Sequence, residues 1–147
     1  MHALLQILCA GIGTFGFSLL FGVRSAHLPI APLSGVISWS VYLLSTIKFD
    51  VFISSMIAAF VICVWSELMA RVRKAPATVF LVPGIIPLLP GGALYFTMTG
   101  VVNSDMALFV RKGTETLYIA VGIAGGILFA SELVRIILAV SNAKEGK

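Results

Sequence analysis

Long apolar stretches separated by short polar ones make up most of this chain. A helix that crosses a bilayer takes about twenty consecutive apolar residues. Runs of roughly this length, by the same requirement, cover residues 3–23, 32–47, 50–70, 78–100 and 116–139. The second run is the shortest and lies between prolines and Lys48, which a helical hairpin tip at residues 45–50 would explain. The pattern predicts an all-α integral membrane protein with about five transmembrane helices.

Proline and glycine interrupt the fourth run. Between Val82 and Tyr95 the chain reads VPGIIPLLPGGALY, with three prolines and three glycines. Proline removes a backbone donor and costs about 3 kcal/mol in a helix interior, so the fourth helix is predicted to break there. Inside lipid, irregular backbone persists only where protein or a water-filled cavity supplies partners, and transporters place their sites at such points. A substrate site is therefore predicted at the break; the alternative is a structural helix that the prolines merely kink.

Composition agrees with a location in the membrane. Hydrophobic residues make up 59% of the chain and charged residues only 11%, far from the usage of a soluble domain. The net charge of +4 comes from basic residues at the ends of apolar runs, which predicts membrane flanks and no nucleic-acid partner. We expect one transmembrane domain over residues 1–140 and a cytoplasmic tail over residues 141–147.

The distribution of lysine and arginine predicts the orientation. If all five runs cross, one membrane face receives seven of these residues and the other face receives three. If residues 78–100 dip in and return, the split is six to four, so the positive-inside rule favours full crossing. The N-terminus is then outside and the C-terminus in the cytoplasm, across the cell's inner membrane.

Small residues recur at helical spacing in two of the runs. Thr14 and Ser18 belong to such a stripe in the first run, and Gly122 and Gly126 to another in the last. Stripes of this kind allow two helices to approach closely. They predict helix packing, with contact to a substrate as the alternative.

Two acidic residues are candidates for ion coupling. Glu132 lies within the last run, where it is predicted either to carry a proton or face the substrate, or to share the membrane interface with Arg135. Asp105 follows the broken run directly. It is predicted first as the cap of a helix that begins near Met106, and ion coupling is the alternative.

Motifs for catalysis or metal binding do not occur in the sequence. It has no H-E-x-x-H, G-x-S-x-G or G-x-x-x-x-G-K pattern. Cys9 and Cys63 lie alone in apolar runs and are predicted to be small buried hydrophobic residues. No enzyme activity, catalytic residue, cofactor or metal is predicted.

Residues 73–98 resemble the signature of the threonine/serine exporter family, specifically that of the small-subunit half of the family. This segment reads RKAPATVFLVPGIIPLLPGGALYFTM. The matching core is P-x-x-P-G at residues 87–91, followed by the aromatic Tyr95. The resemblance implies an exporter of small hydrophilic metabolites, such as threonine, serine or a dicarboxylate like succinate. It also implies a larger subunit of the same family as a partner, and a homo-oligomer is possible. A passive channel-forming oligomer and a scaffold for the larger subunit are the alternatives.

The break itself suggests a binding chemistry. If the helix restarts near Ala93, its new N-terminus offers unpaired N–H groups and about half a positive charge, which favours a carboxylate. Glycines allow close approach, hydroxyl groups form hydrogen bonds, and carbonyls freed by proline can hold a cation or water. The predicted substrate-binding residues are Pro87, Pro90, Gly91, Gly92, Tyr95 and Thr97.

Overall fold

The computed structural model describes residues 2–145, and every regular element in that part of the chain is helical. A single 3₁₀ turn, Ile86–Leu88, follows the fourth α-helix. The α-helices are α1 (His2–Leu20), α2 (Ala31–Ser45), α3 (Val51–Arg73), α4 (Thr78–Ile85), α5 (Gly91–Val102) and α6 (Met106–Glu145). α6 therefore extends into the predicted tail, of which residues 146–147 lie outside the described part.

Three helical segments are long and apolar enough to cross a membrane, namely α1, α3 and Met106–Ile137 of α6. The segments Thr78–Leu88 and Gly91–Val102 pass the same test together, which gives a fourth span if they count as one. α2 is apolar but has only 15 residues, fewer than a crossing takes. The predicted all-α membrane fold is confirmed with three to four candidate spans in the described chain, and the second predicted run is the one that falls short.

The last helix begins well before the apolar run predicted from residue 116. α6 starts at Met106 and carries Arg111, Lys112 and Glu115 in its first turns. Lys112 Nζ and Glu115 Oε2 are 2.7 Å apart and form an ion pair one turn apart on the helix. The ion pair offsets part of the free-energy cost of placing these charges in the helix. The helix therefore includes residues 106–115, which a search for apolar runs leaves out.

α3 lies at the centre of the helix arrangement. Its most extensive contacts are with α6, and it also packs on α2 and α4. α1 packs mainly on α2. The two halves of the broken helix have different neighbours: α4 contacts α1, α2 and α3, whereas the substantial contacts of α5 with other described helices are all with α6.

Small residues allow these helices to approach closely. Gly122 and Gly126 of α6 face the backbone of α3, and a side chain at Gly122 would come within 2.6 Å of the Phe52 carbonyl oxygen. Thr14 on α1 packs just as closely against Gly35 on α2. The predicted packing role of the two small-residue stripes is therefore confirmed at these contacts.

Buried hydroxyl groups form hydrogen bonds within their own helices. Thr14 donates to the Ala10 carbonyl oxygen at 2.7 Å, and Ser66 donates to that of Ile62 at 2.8 Å. The same pattern occurs at Ser18, Ser34, Ser38 and Ser55. Since each hydroxyl hydrogen is already used, these residues line helix interfaces without offering a free donor to a substrate.

Replacing Gly126 by alanine should destabilise the protein. The added methyl group would collide with the Met56 carbonyl oxygen and lie 2.9 Å from the Ala59 Cβ. Overpacking of this kind costs about 1–3 kcal/mol, so the thermal unfolding midpoint in detergent should fall. Gly125→Ala is the matched control, because a methyl group there only touches the Met56 Sδ at 3.9 Å. An equal effect of both substitutions would contradict the packing of α6 on α3.

Candidate functional site

The break in the fourth run is a short, irregular segment of backbone. After the 3₁₀ turn, Leu89 is extended and Pro90 has φ −77° and ψ 49°. The Gly91 N–H donates to the Leu89 carbonyl oxygen at 2.8 Å, which closes a tight turn around Pro90. Pro87 and Pro90, both half-buried, have no N–H with which to continue a helix. The predicted interruption by proline and glycine is confirmed.

The two halves of the broken helix meet at a bend of 50°. A bend of this size keeps both halves running in one general direction, which fits a crossing span better than a re-entrant loop. The segments Thr78–Leu88 and Gly91–Val102 are about 17 and 18 Å long at helical rise, against about 30 Å for the hydrocarbon core. If the two segments form one span, arms of nearly equal length place the break near its middle.

The segment before the break is anchored in the core. Leu88 is only 4% exposed. It belongs to a cluster of buried residues from α3 and α6, namely Ala58, Ala59, Ile119 and Ile123. Pro83 and Gly84 are also buried, and a side chain at Gly84 would come within 2.8 Å of Ile62 and 3.0 Å of Ser34. Gly84 therefore allows α4 to pack tightly on α2 and α3 and fixes where the backbone leaves the helix.

The segment after the break begins on the surface of the subunit. Gly91 and Gly92 are exposed, and no other part of the described chain lies within 4 Å of the position that a side chain would occupy there. The N–H groups of Gly92 and Ala93 have no partner inside α5, because no helical carbonyl precedes them. Tyr95, 67% exposed, lies one turn further along the same face. The structure thus brings Gly91, Gly92 and Tyr95 together at an open helix N-terminus.

Thr97 lies on a different face of α5 from this glycine pair. It is 6% exposed, and its hydroxyl donates to the Ala93 carbonyl oxygen at 2.8 Å. The Thr97 methyl group faces Gly113 on α6. Thr97 also lines a cavity of about 390 Å³ together with Thr114 and Thr116. Thr97 therefore does not join the other predicted residues at the open surface.

Asp105 caps α6 at the end of α5 opposite the break. Its Oδ1 accepts a hydrogen bond from the Leu108 N–H at 3.0 Å, and its carbonyl oxygen accepts one from the Phe109 N–H at 3.0 Å. This is the geometry of a helix N-cap. The predicted cap of a helix beginning at Met106 is confirmed.

Asp105→Asn should leave the stability unchanged, whereas Asp105→Ala should lower it by about 1 kcal/mol. Asparagine keeps an oxygen at the capping position, and alanine removes it. The unfolding midpoints of the two variants measure these effects. A midpoint for Asp105→Asn as low as that for Asp105→Ala would contradict the cap.

Glu132 lies on an exposed face of α6. Its carboxylate is 3.9 Å from the Arg135 guanidinium, and the side chains of Glu132 and Arg135 are 65% and 82% exposed. Leu88, just before the break, packs against Ile119 and Ile123 of α6, and Glu132 is about 14 Å beyond Ile123 along the helix at 1.5 Å per residue. The structure therefore pairs Glu132 with Arg135 and does not bring it to the break.

One polar cluster was not predicted. Arg24, His27 and Lys74 line a cavity where the α1–α2 linker meets the α3–α4 linker. In the sequence these residues stand only as groups that flank apolar runs. The sequence does contain one indication that they lie close together: the α1–α2 and α3–α4 linkers are both predicted on the same membrane face.

These features define a multi-pass helical membrane protein with a broken span, which is an architecture typical of transporters. The family model described as Threonine/Serine exporter, ThrE, matches residues 6–133. The chain belongs to this family, and the resemblance found at residues 73–98 is confirmed. No curated protein and no solved structure matches the chain.

Proposed function

We propose that this chain is one subunit of a secondary transporter that exports small hydrophilic metabolites across the cytoplasmic membrane. Its family supports export as the activity. Threonine, serine and dicarboxylates such as succinate are the candidate substrates, and each of them carries a carboxylate. The observation that carries the proposal is the open N-terminus of α5, which follows a break near the middle of a membrane span.

The open N-terminus suits a carboxylate. The N–H groups of Gly92 and Ala93 are free of helical partners, and the helix dipole places about half a positive charge there. Glycine at positions 91 and 92 leaves room for a carboxylate oxygen to reach the backbone. Tyr95 on the same face offers a phenol that hydrogen-bonds the other polar groups of the substrate.

The prolines and Thr97 have supporting roles in this proposal. Pro87 and Pro90 keep the turn open because neither can donate the hydrogen bond that would extend a helix through it. The carbonyl oxygens four residues before these prolines are already used, because Pro83 O accepts from the Ile86 N–H and Ile86 O accepts from the Leu89 N–H, so the predicted cation or water site at freed carbonyls is not part of the proposal. Thr97 meets a substrate only from the cavity between α5 and α6, so we place it beside the carboxylate site and not in it.

The open surface also supports a protein partner. Irregular backbone with unpaired N–H groups is costly in lipid, and it persists where protein or a water-filled cavity covers it. We infer that the larger subunit of the same family covers the glycine pair and completes the site. We place the N-terminus outside and the C-terminus in the cytoplasm, an orientation that requires the short α2 to cross together with α1, α3, the broken helix and α6.

Reconstitution tests the proposed activity. Proteoliposomes that contain both subunits should release labelled threonine or succinate at a rate that saturates with internal concentration and responds to an imposed proton gradient or membrane potential. A rate that rises linearly with concentration would indicate a passive channel. In the same assay, Glu132→Gln should remove the response to a proton gradient if that carboxylate carries the proton. No release at all from folded, assembled subunits would contradict export of these substrates.

A further inference from the structure

A cavity of about 560 Å³ opens where two linkers meet at one end of the helix arrangement. The α1–α2 linker contributes Arg24 and His27, and the α3–α4 linker contributes Lys74. Thr78, the first residue of α4, lines the same cavity. The cavity extends along α4 as far as Pro83, and the break at Leu89 begins about 9 Å further along the chain at helical rise. This basic cavity is therefore a separate place from the open N-terminus of α5.

The ends of α1 and α3 bring the two cationic side chains to this place. α1 is followed by Gly22, with φ +64°, and the Val23 N–H donates to the Ser18 carbonyl oxygen at 3.0 Å. α3 ends in the same type of left-handed turn, but the residue in that conformation is Lys74, with φ 50°. Glycine is the usual residue in a left-handed conformation after the end of a helix. This chain has Lys74 there, although the backbone conformation favours glycine.

The basic cavity is positive in character. No aspartate or glutamate is among the described residues that line it, and neither Arg24 nor Lys74 forms a salt bridge within the described chain. The N-terminus of α4 adds the positive end of a helix dipole. The His27 Nδ1 is enclosed without a hydrogen-bond partner, and the ring lies edge-on to Phe80 with centroids 5.8 Å apart. His27 is half-buried, and its unpaired nitrogen can form one hydrogen bond with a group that enters the cavity.

We propose that the basic cavity binds an oxyanion. The shared chemistry is a carboxylate or phosphate group held by Arg24 and Lys74 in front of the α4 N-terminus. Two sources of such a group reach a membrane face: the carboxylate of a dissolved metabolite and the phosphate of an anionic lipid headgroup. For the metabolite, this inference rests on the proposed function, and the cavity holds the substrate before it moves along α4 to the break.

Purified protein in nanodiscs of phosphatidylcholine tests the site, with succinate and inorganic phosphate as probes at constant ionic strength. A bound anion should raise the thermal unfolding midpoint, because it binds the folded state. The double variant Arg24→Gln, Lys74→Gln should bind at least about tenfold more weakly and lose most of this response. Arg73→Gln is the matched control, because Arg73 is exposed, lies next to Lys74 and does not line the cavity.

Nanodiscs that also contain phosphatidylglycerol identify the source of the anion. If the headgroup fills the cavity, this lipid should raise the unfolding midpoint of the wild type but not that of the double variant. If the metabolite is the ligand, the response to succinate should be the same in both lipid compositions. Equal responses of wild type and double variant to every probe, or an equal loss in Arg73→Gln, would overturn the site.

One further variant separates this inference from the proposed function. Gly91→Leu changes the break and leaves the basic cavity intact, so it should retain the full response to inorganic phosphate whether or not it exports. If neither the wild type nor any variant shows transport, the binding experiment still decides whether the basic cavity binds an oxyanion. A loss of the phosphate response in Gly91→Leu would mean that the response comes from the break, and it would also overturn the site.

Discussion

Replacing Gly91 by leucine should abolish export and leave the protein folded. Within residues 2–145, no other part of the chain lies within 4 Å of the side-chain position at Gly91, so there is room for the larger residue. The leucine would instead cover the free N–H groups at the start of α5 and keep a carboxylate away from them. Loss of these charge-assisted hydrogen bonds should slow efflux by at least about tenfold, which corresponds to about 1.4 kcal/mol.

Gly16→Leu is the matched control for this experiment. Gly16 also has open space around its side-chain position, but it lies on α1 and not on either half of the broken helix. Efflux of labelled threonine is measured for both variants beside protein abundance and unfolding midpoint. Wild-type efflux from Gly91→Leu, at normal abundance and assembly, would remove the substrate site from the break.

Replacing Gly84 by leucine should destabilise the subunit itself. The first carbon of a side chain there would already lie 2.8 Å from the Ile62 Cγ1 and 3.0 Å from the Ser34 Oγ. Both neighbours belong to helices that hold α4 in place, so α4 must move away from α2 and α3 together. Overpacking costs about 1–3 kcal/mol, a large share of the roughly 5–15 kcal/mol that stabilises a typical protein. We expect a lower unfolding midpoint and a smaller yield of monodisperse protein.

Gly92→Leu is the control for stability, because a side chain at Gly92 meets nothing within 4 Å in the part of the chain that the structure describes. Gly84 and Gly92 lie on opposite sides of the break, so the pair compares its anchored half with its open half. Size-exclusion profiles and unfolding midpoints of the two variants provide the measurement. A normal midpoint for Gly84→Leu would show that α4 is not held against α2 and α3 in this way.

Local chemistry made the break predictable from the sequence. Pro87 and Pro90 lack an N–H and a glycine pair follows them, so the interruption depends on neighbouring residues and little on the rest of the fold. The face on which the break opens was not predictable in this way. Lipid-facing and buried positions are both apolar in a membrane protein, so hydrophobic periodicity does not tell which face of α5 meets α6. Tyr95 and Thr97 both looked available to a substrate, yet one is exposed and the other packs towards α6.

Helix interfaces were easier to predict than contacts between linkers. Gly122 and Gly126 indicated a close helix contact, because only very small residues let two helix backbones approach. Which helix they contact, α3, became known only from the structure. Arg24 and Lys74 are far apart in the sequence and share a cavity only because of how the helices pack. No local pattern joins two such residues, so the basic cavity required the three-dimensional arrangement.

The central claim is that the break becomes a transport site when a larger subunit covers it. The most direct test is efflux of preloaded labelled threonine and succinate from exporter-deficient cells. The cells express this chain alone, the larger family subunit alone, or both, and the abundance of each protein is checked. Efflux is expected only when both are present, and it should be lost when this chain carries Gly91→Leu. Equal efflux from this chain alone would contradict the claim, because the open N-terminus of α5 would then function without the larger subunit.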